Sequence, residues 1–537
     1  MSSYDYVIVG AGSSGSALAG RLAANNNTKI LLLEAGPKDY NPYIKLPIGY
    51  GKLFYDQSVN WKFYTEPEEN LNGKKMYWPR GKVLGGSSSI NAMVFARGSR
   101  NDFDEWGANA SGWSWEDIEP FFRKMETWKG KSDQSRGQSG PVRVTDVSTQ
   151  AHPLTNCYLE ATEQIGISKN PDYNTGNIEG SFVYQTNTHK GLRSSAANAY
   201  LSPIKKQKNL VVITRALVKK ILFEGARAVG VEYSHKGSPK IAHATKEIII
   251  SAGALGSPQL LQISGIGPAE KLKDLNIKVL SDLPDVGLHL KDHIGLDHTL
   301  LTNQQSLNQL LRPFSGKIKV ALQYLFFRNG PLSMSLNQGG GFVKSDPALN
   351  VPDLQLYFSP LSYSTAPYGR RPLMMPDPYP AVRLGFSLCK PTSEGSISIQ
   401  SSDSSVPPKF FGNYLSTRYD QKTMISGMKL MRKLSATEAL KKIIHTEMSP
   451  GKDVKSDAEL LEYARLNGET VFHQCGTCRM GDNPATSVVD GKLKVRGVYG
   501  LRVADASIFP TIPSGNINAP SIMVGEKAAE LILQENK

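Results

Sequence analysis

Apolar and polar positions are most clearly patterned in the first 36 residues of the chain. Short apolar runs stand on either side of a glycine-rich loop, and Leu18 and Leu22 are four positions apart, as on one face of a helix. The pattern predicts a strand, a glycine loop, a helix and a second strand at residues 4–9, 10–15, 16–24 and 30–33. This order is a complete βαβ unit, which is typical of a parallel sheet covered by helices.

The rest of the chain alternates predicted strands and helices, apart from a middle region that is rich in short strands and turns. Further strands are predicted at residues 210–214, 229–233, 247–251 and 500–504, and helices at residues 113–125, 419–434, 457–466 and 522–533. Residues 37–99 predict no long helix, and the Gly- and Ser-rich residues 134–140 predict a flexible loop. Residues 298–412 mix short β-like runs with Pro-rich turns and therefore predict a separate β-rich unit.

The return to α/β patterning at the end of the chain indicates that one domain is assembled from separate segments. We predict an α/β fold, α+β overall, with a Rossmann-like nucleotide-binding domain and a discontinuous, β-rich substrate-binding domain. The nucleotide-binding domain is predicted at residues 1–155, 195–297 and 465–537, and the substrate-binding domain at residues 156–194 and 298–464.

Composition narrows the class of protein. The chain has 537 residues, of which 40% are hydrophobic, and this fraction is enough to bury a large core. No apolar run approaches the ~20 residues that cross a bilayer, so we expect no integral membrane segment. The first residues have neither the basic nor the apolar part of a secretory signal, and we expect a cytoplasmic protein.

The charge and the cysteine content of the chain do not indicate a functional site. The 62 Lys and Arg outnumber the 48 Asp and Glu, which gives a net charge of +14, but the basic residues are scattered and densest only at residues 205–208. A nucleic-acid binder typically has a basic stripe, so we expect no nucleic-acid partner. The four Cys cannot form a disulfide scaffold, and Cys475 and Cys478 lack the surroundings of a redox dithiol.

The glycine loop predicts the first ligand site. Gly10, Gly12 and Gly15 follow a strand and open a helix, so that the backbone can approach a pyrophosphate whose charge the helix N-terminus stabilises. Glu34 ends the next strand 19 residues after Gly15, where its carboxylate can accept hydrogen bonds from a ribose. The segment predicts a dinucleotide site but does not separate NAD from FAD.

Four longer segments resemble the signatures of the glucose–methanol–choline (GMC) flavin oxidoreductases. Residues 81–91 (Gly-Lys-Val-Leu-Gly-Gly-Ser-Ser-Ser-Ile-Asn) and residues 253–267 resemble the two signatures of the family. Residues 472–481 (Phe-His-Gln-Cys-Gly-Thr-Cys-Arg-Met-Gly) and 513–520 resemble its two C-terminal active-site segments. The resemblance covers essentially the whole chain, and the chain looks most like choline-dehydrogenase-type and aryl-alcohol- or hydroxymethylfurfural-oxidase-type members.

The resemblance implies FAD as the cofactor. The residues implied to contact it are Gly10, Gly12, Ser13, Ser14, Gly15, Glu34, Ala35, Leu84, Gly86, Ser87, Asn91, Ala92, Met93, Val94, Val218, Ala252, Gly253, Asp505, Ala506 and Asn518. Some family members tether FAD covalently through a histidine just before the Asn of the first signature. This chain has Ile90 there, which cannot form the bond, so we expect noncovalent FAD.

His473 is the predicted catalytic base. Oxidising an alcohol needs a base that takes the hydroxyl proton as hydride leaves the carbon, and imidazole titrates near neutrality. The family pattern puts this histidine on the N5 side of the flavin, with a second His or Asn beside it, which is Asn516 here. Asn518 is the competing assignment, but we prefer it as a flavin contact. Phe472, adjacent to His473, is a predicted pocket wall.

Two further groups of residues have a plain structural interpretation. Tyr357, Phe358 and Tyr363 could line the substrate pocket, but core packing is the favoured role of each. Residues 289–298 contain three histidines that could be read as a metal cluster. Zinc needs converging ligands, and in the family this segment is structural, so we expect no metal.

Together these observations predict an FAD-dependent alcohol oxidoreductase, either an oxidase or a dehydrogenase. A primary alcohol, with aromatic and furanic alcohols as candidates, would lose its proton to His473 and its hydride to flavin N5. Oxygen or a quinone would then reoxidise the flavin. Three alternatives stay open: a hydroxynitrile lyase that holds FAD on the same fold, a choline-type dehydrogenase with a quinone acceptor, and a basic binding protein.

Overall fold

Two seven-stranded sheets organise the chain in a computed structural model that describes residues 3–25, 27–131, 134–364 and 375–535. The first sheet contains the predicted βαβ unit, and the second is antiparallel. Residues 1 and 2, on which part of the secretory-signal prediction rests, lie outside the described residues. Within the described ranges, no helix combines the length and the apolarity needed to cross a bilayer.

The first sheet is mainly parallel. Its strands run in the order Leu210–Thr214, Ile30–Glu34, Ser3–Val9, Ser238–Ile250, Arg227–His235 and Ala216–Glu224, and Leu501–Val503 also pairs with Ser238–Ile250. The first four of these strands and Leu501–Val503 are parallel to one another. Their carboxyl ends therefore meet at one edge, which is where α/β sheets bind ligands.

Helices from the two ends of the chain cover this sheet together. Ser13–Ala23 begins directly after Gly12, three residues earlier than predicted, and packs against Asn518–Glu535. A Cβ on Gly525 would lie 2.3 Å from the carbonyl oxygen of Ser14, so the close approach of the two helices requires glycine. Helices from the first and last segments of the chain thus pack together on this sheet.

The second sheet supports the other side of the molecule. Its strands run in the order Ile444–Ser449, Ile294–Thr302, Ala381–Leu388, Leu354–Ser359, Gly339–Val343 and Gly180–Val183, and Glu469–Thr470 also pairs with Ile294–Thr302. Helix Arg418–Ser435 packs on this sheet, where a Cβ on Gly427 would lie 2.2 Å from the ring of Phe386. The predicted boundary at 297/298 falls inside a strand, and the division into two domains stays a prediction.

Shorter elements connect the two sheets. The further helices are Pro42–Lys45, Tyr50–Leu53, Arg100–Asn109, Trp115–Met125, Pro153–Gln164, Gly253–Ile263, Ala269–Asp274, Leu307–Leu311, Phe314–Phe327, Glu438–Lys441 and Asp457–Asn467. Two-stranded ribbons pair Phe63–Tyr64 with Tyr77–Trp78, Glu126–Lys129 with Val142–Thr145, Thr188–His189 with Leu192–Arg193, Ile266–Gly267 with Ser281–Asp282, Tyr363–Ser364 with Met375–Pro376, and Ser396–Ser398 with Lys409–Phe411.

The structure departs from two predictions about the elements. The β-rich unit predicted at residues 298–412 contains strands of the second sheet, but it also includes the 14-residue helix Phe314–Phe327, which was not predicted. The predicted flexible loop at 134–140 is held by Arg136, whose side chain is fully buried and lies 2.7 Å from carboxylate oxygens of both Glu126 and Asp172. Because a buried guanidinium needs such partners, this segment is held by ion pairs in the protein interior.

Candidate active site

A cavity of about 1360 Å³ runs from the glycine loop to His473. Gly12 and Glu34 line one end, and Phe472, His473 and Asn516 line the other. Typical pockets for small molecules hold roughly 300–1,000 Å³, so this cavity can hold a long ligand together with a second, smaller one. It lies at the carboxyl edge of the parallel strands, as the topology requires.

Backbone packing shapes the nucleotide end of the cavity. Gly10 has a φ of +100°, and a Cβ there would lie 2.3 Å from the carbonyl oxygen of Ser251, so only glycine fits between the two parallel strands. A Cβ on Gly12 would instead meet nothing within 4 Å, and Gly12 lines the cavity. Gly12 has no side chain to cap helix Ser13–Ala23, which leaves the N–H groups of its first turn available to an anion.

Glu34 stands beside this helix start. Its carboxylate accepts hydrogen bonds from the N–H groups of Ala11 at 3.0 Å and Gly36 at 2.8 Å. Burial raises the pKa of Glu34 to about 7. Each carboxylate oxygen has a second lone pair, so the group can also accept from a ribose hydroxyl. The open backbone at Gly12, the uncapped helix and this carboxylate fit the adenosine and pyrophosphate parts of a dinucleotide.

All but two of the residues predicted to contact FAD line the cavity. The two exceptions are Gly15 and Leu84. A Cβ on Gly15 would lie 2.0 Å from the carbonyl oxygen of Gly10, so the close contact between helix and strand requires glycine there. Leu84 packs against the core of the first sheet. Ile90 does line the cavity at the position where a tether would be, and its side chain has no atom that could form the link.

Asp292 holds the backbone that carries the predicted base. His473 follows strand Glu469–Thr470, and its N–H donates to Asp292 at 2.7 Å. The same buried carboxylate accepts from three side chains, at 2.5 Å from Thr470 Oγ1, 2.5 Å from the Tyr414 hydroxyl and 2.6 Å from Gln474 Nε2. Four donors on one carboxylate leave the segment little freedom to move.

Phe472 is held in an uncommon backbone conformation beside the base. Its φ is +69°, which is rare for a bulky residue. The Arg80 guanidinium donates to the Phe472 carbonyl oxygen at 2.6 Å, and the Phe472 ring packs edge-on against Phe54 with centroids 5.3 Å apart. Strained positions of this kind cluster at functional sites, and here the strain directs His473 into the cavity.

A chain of hydrogen bonds assigns the protons of His473. His293 Nε2 lies 3.1 Å from the Cys389 carbonyl oxygen, which can only accept, so Nε2 donates. In a neutral ring His293 Nδ1 is then an acceptor, and it receives the Nδ1 proton of His473 at 2.9 Å. His473 Nε2 is left unprotonated, 3.1 Å from Asn516 Nδ2, and Asn516 Oδ1 accepts from Gln355 Nε2 at 3.2 Å.

The surroundings keep this imidazole neutral. Burial is the largest cause that lowers the pKa of His473 well below its usual value, followed by the charge that His293 carries when protonated and the charge of Arg80. Burial also lowers the pKa of His293 to about 4. Both rings are therefore neutral at pH 7. The Nε2 lone pair of His473 accepts from Asn516 Nδ2, and it can take a proton from a hydroxyl group that replaces this contact.

Sequence reasoning missed three of these residues. His293 and Asp292 were included in a segment interpreted as structural, and Gln355 was not singled out. His289 instead lies 2.8 Å from Glu394, so the histidines of this segment do not converge. The available signal was a polar pair directly before strand Ile294–Thr302, whose first residue pairs with Thr470.

The three aromatic residues considered for the substrate pocket do not all lie in the same surroundings. Tyr357 and Tyr363 line the cavity and also pack in the apolar clusters beside it, so both roles stay open for them. Phe358 is fully buried and stacks on Tyr158 with ring centroids 5.1 Å apart, as core packing predicts. Asn518 Oδ1 accepts from Ser13 Oγ at 2.8 Å, at the helix start rather than beside His473.

A dinucleotide cavity that ends at a neutral imidazole is typical of flavin-dependent alcohol oxidoreductases. Family models described as GMC oxidoreductase match residues 4–295 and 391–525. The chain therefore belongs to the GMC oxidoreductase family.

Similar proteins agree with this assignment. The chain is 40% identical to an alcohol dehydrogenase [acceptor] of Pseudomonas putida, over 99% of this chain and 96% of that one. It is 40% identical to the mitochondrial choline dehydrogenase of Homo sapiens, over 98% and 89% of the two chains. The solved structure of pyridoxine 4-oxidase from Mesorbium loti matches with a TM-score of 0.88 and 28% identity, over 99% of each chain.

These matches confirm the predicted class of enzyme. The chain is an FAD-dependent oxidoreductase that acts on the CH–OH group of a small-molecule alcohol, and its FAD is noncovalently bound. The predicted α/β architecture is confirmed as well. Neither the hydroxynitrile lyase nor the basic binding protein finds support among these relatives.

Proposed function

We propose that this enzyme oxidises a neutral primary alcohol, aromatic or furanic, to the aldehyde. His473 is the base, and Asn516 donates to the oxygen that develops negative charge. The observation that carries the proposal is the 3.1 Å contact between His473 Nε2 and Asn516 Nδ2 at the end of the cavity. A hydroxyl group that replaces this contact and lies beside both nitrogens has an acceptor for its proton and a donor for its oxygen.

The network around His473 supports a single direction of proton transfer. His473 Nε2 accepts the hydroxyl proton, and its Nδ1 proton stays on the hydrogen bond to His293. Gln355 holds the Asn516 carbonyl oxygen, which turns the amide N–H groups toward His473 and the substrate oxygen. FAD, when bound, supplies the acceptor for the hydride that leaves the substrate carbon.

Two aromatic faces and one carboxylate that line the cavity already have cationic partners, which favours a neutral alcohol over choline. A quaternary ammonium group is typically bound by open aromatic faces and carboxylates. Here Lys82 Nζ lies 4.4 Å from the centre of the Trp61 ring, and the Arg383 guanidinium lies 4.0 Å from that of Tyr363. Arg383 also lies 3.2 Å from Asp297. These faces and this carboxylate are already occupied by the protein's own cations.

We propose oxygen or a quinone as the acceptor that reoxidises the flavin, and a cytoplasmic location for the enzyme. The relatives named above include both a dehydrogenase and an oxidase, which supports keeping both acceptors. Parallel assays for peroxide and for reduction of a quinone would decide between them. Fractionation of cells into cytoplasmic, periplasmic and membrane-bound material would test the location.

Anaerobic mixing of the holoenzyme with alcohols tests the substrate class. We expect loss of the flavin absorbance with benzyl alcohol or hydroxymethylfurfural, at rates at least about tenfold above those with choline, because the unpaired cation would be repelled. A faster reaction with choline would overturn the neutral-substrate proposal. An unchanged flavin spectrum with every alcohol would contradict oxidation itself and favour the lyase.

A further inference from the structure

Helix Phe314–Phe327, which the proposed chemistry does not use, exposes six large apolar side chains. Phe314, Phe326 and Phe327 are exposed over 79%, 72% and 71% of their surface. Ile318, Leu322 and Leu325 are exposed as well. Scattered apolar residues on a surface are ordinary, but a contiguous apolar group marks a surface that contacts a membrane or another protein.

The exposed side chains form one face of the helix. At about 100° per residue, five of them fall within an arc of about 120°, namely Phe314, Ile318, Leu322, Leu325 and Phe326. Val320 and Tyr324 lie on the other side and are buried, and the Tyr324 hydroxyl donates to the Gly191 carbonyl oxygen at 2.8 Å. The helix is thus fixed to the protein by one face and leaves an apolar face outward.

Two lysines flank this apolar face. Lys317 and Lys319 border the arc on its two sides. Arg312 and Arg328 lie just beyond the two ends of the helix but have partners within the protein, since Arg312 donates to the Pro376 carbonyl oxygen at 2.7 Å and Arg328 lies 5.0 Å from the centre of the Tyr324 ring. No Asp or Glu occurs between Asp297 and Asp346. An apolar stripe bordered by lysines is typical of helices that lie in the interface of a bilayer, where the basic side chains reach anionic headgroups.

We propose that helix Phe314–Phe327 docks the enzyme on the surface of an anionic lipid bilayer. The helix has 14 residues, about 21 Å of length, which is too short to span and long enough to lie in the interface. A second copy of the chain fits this face poorly. A symmetric contact would bring the two lysines that border one face close to the same two of the other, whereas an anionic leaflet complements them.

Docking would also bring the cavity close to the membrane. Val320 packs in one apolar cluster with Tyr50, Phe54 and Met93, which line the cavity. If the proposed function holds, lipid-dissolved alcohols or acceptors would then have a short route to the site. The docking proposal itself does not depend on which alcohol is oxidised.

Flotation of the holoenzyme with vesicles tests the proposal. We expect binding to vesicles of phosphatidylcholine with about 30% phosphatidylglycerol and much weaker binding to phosphatidylcholine alone. The double variant Phe314→Gln/Phe326→Gln should lower the partition coefficient at least about 100-fold, because two apolar anchors are lost. Lys317→Gln/Lys319→Gln should lower it about fivefold per lysine, and added salt should have the same effect.

Matched variants elsewhere on the surface serve as controls. Tyr499→Gln removes an aromatic side chain that is 71% exposed, and Lys205→Gln/Lys206→Gln neutralises the densest basic cluster. Both should bind vesicles like the wild type. All variants should oxidise alcohols at the wild-type rate with a soluble dye acceptor, so that failure of docking is distinguishable from failure of the proposed function.

Three results would overturn the proposal. One is wild-type protein that binds no vesicles of either composition. Another is an equal loss of binding in the control variants, which would indicate general basicity. The third is a concentration-dependent dimer that the Phe314→Gln/Phe326→Gln change abolishes without any vesicle binding, which would make a second copy the occupant.

Discussion

The two ends of the cavity are built in different ways. At the nucleotide end the backbone forms the site, because Gly10 and Gly12 lie within one short loop and bring the chain itself next to the ligand. At the catalytic end side chains form it, and His473, His293 and Asn516 come from segments far apart in the sequence. At the nucleotide end, the absence of side chains leaves room for the cofactor. At the catalytic end, side chains donate and accept hydrogen bonds in fixed directions.

This difference predicts different consequences of mutation. At the nucleotide end an added side chain takes up the space of the cofactor, so the effect should be nearly complete. At the catalytic end each contact is one hydrogen bond or one proton acceptor, so effects should be graded according to how closely the group contacts the reacting atoms.

Gly12→Val should have the largest effect. The backbone of Gly12, with φ −76° and ψ −158°, suits an L-residue, and a Cβ there meets nothing within 4 Å. We expect the cofactor-free variant to unfold within about 1 kcal/mol of the wild type, yet to be purified without flavin and without activity. Gly10→Ala, which clashes with Ser251, should lower the free energy of unfolding as well. A Gly12→Val protein with full flavin absorbance would contradict the account.

His473→Ala should lower kcat by about 10²–10⁴-fold, the usual contribution of a general base. The flavin content of the purified protein should stay at the wild-type level, because the nucleotide end is unchanged. Steady-state turnover and the ratio of flavin to protein are the two measurements. A colourless variant would assign His473 to cofactor binding, and a fully active one would remove it from the mechanism.

Asn516→Ala should lower kcat by about 10²-fold, as expected for the loss of one donor to a developing oxyanion. Asn518→Ala is the matched control, since its amide contacts Ser13 at the helix start. We expect that variant to bind FAD more weakly and to reduce bound flavin at nearly the wild-type rate. The reverse pattern, with Asn518→Ala slow in flavin reduction, would exchange the two assignments.

Changes at His293 should have the smallest effect on rate and a distinct effect on pH dependence. His293→Leu removes the acceptor for the His473 Nδ1 proton and should lower kcat by about tenfold, the equivalent of one hydrogen bond. His293→Gln retains an acceptor and should recover most of that loss.

The pH profile separates this positioning role from a merely structural one. The pKa of His473 lies well below its usual value, so wild-type kcat/KM should stay level below pH 6.5. His293 lowers that pKa through the charge it carries when it is itself protonated, near its own pKa of about 4. Its removal therefore raises the pKa of His473 in that acid range, and the base is protonated sooner as the pH falls. In both His293→Leu and His293→Gln, the fall of kcat/KM at acid pH should therefore move to higher pH. A fall at the wild-type pH would contradict the proposed contact between His293 and His473.

The same contrast decides what could be predicted from sequence. The glycine loop and Glu34 were predictable, since a strand, a loop, a helix and a strand follow one another within 36 residues. His473 and Asn516 were predictable only through the resemblance to a family. His293 was not, because its partner His473 lies 180 positions away and only the pairing of Ile294 with Thr470 brings them together.

Two errors show other limits of pattern reading. Helix Phe314–Phe327 was missed because its apolar residues face outward as well as inward, so the period of 3.6 residues does not appear. The segment around Arg136 reads as flexible from its Gly and Ser content, but its buried guanidinium is held by Glu126 and Asp172. The helix leaves part of its apolar surface exposed, and the segment is held by contacts with residues distant in the sequence. Neither property can be read from local composition.

Chemical rescue tests the central claim most directly. Flavin reduction by a neutral aromatic alcohol is followed after anaerobic mixing with the His473→Ala holoenzyme, with and without added imidazole. We predict slow reduction that accelerates in proportion to the concentration of neutral imidazole, since the added base fills the space of the missing side chain. Reduction at the wild-type rate without imidazole would show that no base is needed at this position.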